Sequence, residues 1–96
     1  MKHLLLVLVL TLTASAVDGA KIQKLNNKAI YYESRAIKAF ENRKFFKCYS
    51  EINNALNAVY LMGIEAIGDE RYEEPIFIKE KNYNEIKDIC EKLGGF

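Results

Sequence analysis

The residues of this chain with the most constrained chemistry are its two cysteines, Cys48 and Cys90. A nucleophilic thiol needs a base to ionise it, and the only histidine is His3, at the very start of the chain. A zinc site needs four nitrogen or sulfur ligands, which two cysteines without histidine do not supply. An even cysteine count in a small chain fits one intramolecular disulfide in an oxidising compartment, with an intermolecular bridge or two free thiols as the alternatives. The carboxylates Glu70, Glu73 and Glu74 invite comparison with a cation site. Their spacing matches no twelve-residue calcium loop with glycine at its sixth position, so they read as a solvated acidic loop. No catalytic residue, metal ligand or cofactor is expected, and the chain reads as a protein that is not an enzyme.

The oxidising compartment is indicated by the first sixteen residues. Met1-Lys2-His3 is a short basic head, Leu4 to Leu10 is unbroken apolar sequence, and Ala14-Ser15-Ala16 has the small-x-small form of a cleavage site. A membrane anchor would need about 20 apolar residues, and Asp18, Gly19 and Lys21 interrupt the stretch well before that. A signal peptide over residues 1–16 and a secreted, extracellular domain over residues 17–96 follow. Cleavage leaves 80 of the 96 residues, with neither histidine nor tryptophan. Such a chain has room for one modest core. A bridge closing a loop of about 40 residues stabilises it by up to about 4 kcal/mol, a large share of the roughly 4 to 12 kcal/mol expected in total.

The elements that must bring the cysteines together show as apolar periodicity. Ile22, Leu25, Ala29, Tyr32, Ala36 and Ala39 alternate three and four apart, the mark of one helix face, widened by Ile30, Ile37 and Phe40. A second series runs Phe45, Cys48, Ile52, Ala55, Val59, Met62 and Ala66. The two are out of phase, since continuing the first past Ala39 lands on Arg43 and Phe46. A turn around Asn42-Arg43 that folds the second helix back on the first accounts for the slip, and one long bent helix is the alternative. Gly68 suits a left-handed helix stop, and Asp69 to Pro75 reads as a loop, with Pro75 disfavouring helix at Glu74. Ile76-Phe77-Ile78 reads as a segment tucked over the core. A third helix starts at Asn82, capped reciprocally with Glu85, carries Tyr83, Ile86, Ile89, Cys90 and Leu93 on its apolar face, and ends at Gly94-Gly95. The expected fold is all-α, a small three-helix domain with helices at about 21–41, 44–67 and 82–93: an antiparallel hairpin plus a C-terminal helix, joined by Cys48 and Cys90.

Small residues at Ala36, Cys48 and Ala55 stand at twelve-then-seven spacing. On those positions, residues Leu25 to about Ala58 resemble a tetratricopeptide-type helical hairpin, without its turn glycine and with Tyr60 in place of its closing proline. The resemblance covers about a third of the chain and implies two helices in close approach.

Charge is segregated. Between Lys21 and Lys47 eight basic residues face two acidic ones, and between Glu51 and Lys92 ten acidic residues face five basic ones. A fold-back sets the basic first helix against Glu51 and Glu65. The near-zero total argues against nucleic-acid binding and strong membrane contact. Broad apolar stripes on three short helices exceed what so small a domain covers, so residual apolar surface should mark a protein partner or a self-association face. The expected function is protein–protein interaction by a small secreted effector of the salivary, venom or seminal kind. An alternative is a carrier of a small hydrophobic molecule between helices lined by Tyr31, Tyr32, Phe45, Phe46, Tyr49 and Tyr60. A second is a membrane-active, antimicrobial-like protein drawing on the basic first helix.

Overall fold

Asp18 opens the first helix by accepting hydrogen bonds from the Ala20 and Lys21 amides at 3.0 and 3.2 Å, which satisfies two of the donors that a helix start leaves unpaired. The computed structural model describes residues 17–96, so the expected leader over residues 1–16 lies outside the described residues. The described chain is all-helical: α1 (Gly19–Glu41), α2 (Phe45–Glu65) and α3 (Glu70–Gly94). None of these helices is long and apolar enough to cross a membrane.

α1 and α2 form the antiparallel hairpin that the phase slip predicts. The chain turns through Asn42, Arg43 and Lys44, with the Arg43 amide donating to Phe40 O at 2.9 Å and the Lys44 amide to Ala39 O at 2.8 Å. Arg43 takes the left-handed conformation at φ 58°, in the place where glycine usually stands. The seam is built from the expected positions. Ile22, Ala29, Ala36 and Ala39 of α1 are buried, as are Cys48, Ile52, Ala55, Val59, Met62 and Ala66 along and just past α2. Alanine on both sides lets the backbones approach closely. Lys21 pairs with Glu65 at 2.8 Å and Arg35 with Glu51 at 2.7 Å, the two acidic partners that the fold-back places opposite the basic helix.

α3 is where the structure departs from the expectation. It begins at Glu70 rather than Asn82, and Pro75 lies inside it. Of the segment expected to be a loop over Asp69–Pro75 and a piece tucked over the core at Ile76–Ile78, all but the cap Asp69 is continuous helix. Asp69 is the cap: it accepts from the Arg71 amide at 3.1 Å, while the Arg71 guanidinium returns to its carboxylate at 2.6 Å and holds the carboxyl below its ordinary range. Glu70 and Glu73 then stand in the first turn, where carboxylates favour the positive helix end. Pro75 removes one intrahelical hydrogen bond. Against that stands the burial of Tyr72, Ile76, Tyr83, Ile86 and Cys90 on one face, half or fully, which only an uninterrupted helix achieves. Asn82 is mid-helix and caps nothing.

The chain ends of the helices agree with the glycine signals: Gly68 sits at φ 87° before α3 and Gly95 at φ 73° after it. α1 and α3 both pack on α2, so α2 is the shared element and α1 and α3 run parallel. The Cys48–Cys90 disulfide, with Cα atoms 6.1 Å apart, joins α2 to α3 at fully buried positions.

Substituting Ala55, which is fully buried on α2, with leucine forces extra carbon atoms into a closely packed core and lowers stability by about 1–3 kcal/mol. Thermal unfolding followed by circular dichroism should show a midpoint at least about 5 °C lower, and an unchanged midpoint would contradict the close packing.

Candidate interaction surface

The six aromatic residues singled out in the sequence do not converge. Tyr31 is exposed and lies edge-on to half-buried Tyr32 at 5.4 Å, with the Arg35 guanidinium over its ring at 5.6 Å. Phe45 packs on Phe40 at 5.9 Å. Phe46 and Tyr49 share Phe96, at 5.6 and 5.0 Å. Tyr60 is 68% exposed. None of the six is buried, so they neither line one interior gap nor form the core. The buried aromatic is Tyr83, 2% exposed, which the sequence placed on the inner face of the third helix.

The feature that α1 and α3 create together is a furrow. Both pack on α2 while their backbones stay apart, and clefts follow one another along the line between them. Near the start of α1, Ile22 and Asn26 face Tyr72, Pro75 and Ile76 across a cleft of about 180 Å³. Midway, Glu33 faces Ile78, Asn82 and Tyr83 across about 430 Å³. At the far end Ile37 and Phe40 of α1 meet Ile86 and Ile89 of α3 around a wholly apolar cleft of about 130 Å³. Ile30, Ile37, Phe40, Ile78 and Ile89 all retain 38–49% exposure. The sequence contained the signal for half of this surface, because Ile30, Ile37 and Phe40 are the residues that widen the first stripe beyond what one neighbouring helix covers. Ile78 was hidden by the misreading of the start of α3.

One hydrogen bond crosses the furrow. The Tyr83 hydroxyl donates to Glu33 Oε1 at 3.1 Å, and the Lys79 ammonium lies 5.6 Å from the Tyr83 ring centre. Burial of the phenol, and secondarily the adjacent Glu33 carboxylate, pushes its pKa far above the ordinary tyrosine value. The arrangement holds α1 and α3 at a fixed separation instead of activating a proton: the phenol remains a donor at every physiological pH. Among the described residues, no group of three or more histidine, cysteine, aspartate or glutamate side chains is placed to hold a metal ion. Cys48 and Cys90 are consumed by their bond.

No protein-family model matches this chain, and no curated protein or solved structure is significantly similar to it.

The raised Tyr83 pKa has a signed consequence. The unfolded phenol ionises near pH 10 and the folded one does not, so stability is fully present below about pH 10 and falls as pH rises above it, by up to about 1.4 kcal/mol per pH unit. Lys21, whose ammonium is raised by its hydrogen bond to Glu65, loses its contribution in the same alkaline range. Denaturant unfolding of wild type and Tyr83→Phe between pH 8 and about pH 11 separates the two. The variant should be less stable by about 1 kcal/mol at pH 8 and show the shallower alkaline decline. Parallel declines would contradict the assignment.

Proposed function

We propose that this chain is a small secreted helical protein that acts by binding another polypeptide and performs no catalysis. The observation that carries the reading is the open furrow between α1 and α3. Two helices laid side by side on a third, with isoleucine and phenylalanine left half-exposed between them, offer the groove into which an amphipathic helix fits its apolar face. A fourth helix seated there would complete a four-helix arrangement and cover side chains that α2 cannot reach. The occupant is a helix of a partner protein or of a second copy of this chain. Secretion is supported by the leader-like first sixteen residues and by the disulfide, which persists in oxidising compartments.

The carrier reading has one point in its favour, the apolar cleft among Ile37, Phe40, Ile86 and Ile89. About 130 Å³ is small beside the roughly 300 Å³ or more of an ordinary ligand pocket. The larger cleft of about 430 Å³ midway along the furrow is bordered by Glu33, Glu74, Lys79 and Asn82, a polar rim that does not suit an apolar molecule.

The double variant Ile37→Ser/Ile89→Ser changes two half-exposed positions and leaves the buried seams intact. Chromatography with light scattering over micromolar to millimolar concentration should show wild-type self-association and a monomeric variant with a similar unfolding midpoint. Native mass spectrometry of protein purified from its source should carry a bound polypeptide where the occupant is a partner. A monomer at all concentrations that co-purifies with a small hydrophobic molecule would favour the carrier instead.

A further inference from the structure

Charge divides by position along the long axis of the helices as well as along the sequence. The end formed by the α1–α2 turn and the last turns of α3 is held together by the Cys48–Cys90 bond and the packing of Phe96 on Phe46 and Tyr49. Within residues 38–47 and 87–96 stand Lys38, Arg43, Lys44, Lys47, Lys87 and Lys92 against Glu41, Asp88 and Glu91, side-chain charges that sum to +3. The opposite end, residues 17–24 and 63–74, carries Asp18, Glu65, Asp69, Glu70, Glu73 and Glu74 against Lys21, Lys24 and Arg71, a sum of −3. A total near zero therefore conceals two poles of opposite sign.

The basic pole is a built feature. Arg35, Lys38, Asn42, Lys44 and Lys47 line one cleft of about 260 Å³. Arg35 is tied to Glu51, while Lys38, Lys44 and Lys47 make no ion pair among the described residues. α2 starts beside this cleft at Phe45, with no side-chain cap and no acidic residue in its first turn, so the positive end of the helix adds to the same field. Exposed phenylalanines stand at the same end: Phe40 (38%) and Phe46 (72%) on either side of the turn, and Phe96 (46%) beyond α3, packed on Phe46. Cations around an open cleft, with exposed phenylalanine at the same end of the molecule, match an anionic bilayer surface. Lysines meet headgroup phosphates, and the rings enter the boundary between headgroups and acyl chains.

We propose that the pole formed by the α1–α2 turn and the C-terminal end of α3 docks on anionic phospholipid membranes, with Lys38, Lys44 and Lys47 holding a headgroup phosphate and Phe46 inserting beside it. The acidic pole then points away from the membrane, and the α1–α3 furrow, which runs along the helices, stays accessible to a polypeptide partner. The docking needs no occupant of the furrow and stands or falls separately from it.

Co-sedimentation of the oxidised protein with vesicles tests the proposal. Binding is expected to phosphatidylcholine vesicles containing about one-third phosphatidylglycerol, and not to phosphatidylcholine alone, with affinity falling as salt is raised. Lys44→Glu/Lys47→Glu should weaken it at least about tenfold. Lys24→Glu/Lys28→Glu, an equal change in charge at exposed positions away from the pole, should leave it within about twofold. Phe46→Ser should weaken it several-fold, while circular dichroism and non-reducing intact mass show each variant folded and bridged. Equal binding to both vesicle types, no binding to either, or equal loss in the two charge-reversal pairs would overturn the proposal. So would full competition by millimolar glycerol phosphate, which would make the cleft a site for a free oxyanion. A salt-sensitive dimer that Lys44→Glu/Lys47→Glu dissolves, in the absence of vesicle binding, would assign the pole to the acidic end of a second copy.

Discussion

The Cys48–Cys90 bond is the constraint on which the rest of the molecule depends. α1 and α2 form a hairpin through a short turn, and the chain alone keeps them adjacent. α3 is connected to α2 through Ala66–Asp69 at one end, and at the other end the disulfide fixes it to the same helix across 42 residues of sequence. With both ends tied to α2, α3 has one way to lie. Closing a loop of that length removes about 4 kcal/mol of disorder from the unfolded chain in the entropic account. The contribution matters because the core is thin. Among the described residues, six of the fourteen buried hydrophobic ones are alanine, and an alanine side chain withdraws little apolar surface from water.

The alanine seam and the exposed apolar surface have a common origin. Close approach of α1 and α2 requires small residues between them, so the large side chains of the same stripes are displaced to the flanks. That displacement leaves Ile30, Ile37 and Phe40 beside the furrow and Phe46 and Tyr60 in solvent. A core of leucine and phenylalanine would hold the helices farther apart and take up more of this surface. The packing that makes the hairpin compact is therefore what gives the molecule faces to offer to something else: an apolar furrow along its length and a basic, phenylalanine-bearing pole at one end.

Much of this architecture was legible in the residues. The three-four series of α1 and α2 named the buried seam, the phase slip between Ala39 and Phe45 located the turn, Gly68 marked a left-handed position, and Gly94-Gly95 marked the end of α3. The first half of α3 was not legible, because Pro75 and the acidic run Glu70–Glu74 resemble a loop locally. Tyr72, Ile76, Tyr83, Ile86 and Cys90 do stand at helical spacing, but the series runs across Pro75 and is broken by Lys79, and the proline and the acidic run outweighed it. Burial against α2 is what favours helix over the loop. The six aromatic residues considered as the lining of a gap between helices lie apart for a related reason: alanine occupies the helix contacts, and most of the rings fall on positions one step removed from the seams. The two charged poles were invisible to a total charge near zero and emerged only when the antiparallel topology brought residues 38–47 beside residues 87–96.

Hydrogen exchange of the oxidised and the reduced protein, followed helix by helix beside denaturant unfolding, addresses the clamp directly. Reduction should lower stability by about 4 kcal/mol, with protection lost first and furthest in α3 while the α1–α2 hairpin retains more of its own. Protection in α3 that survives reduction, with an unchanged unfolding midpoint, would show that packing alone seats the third helix and would contradict the account.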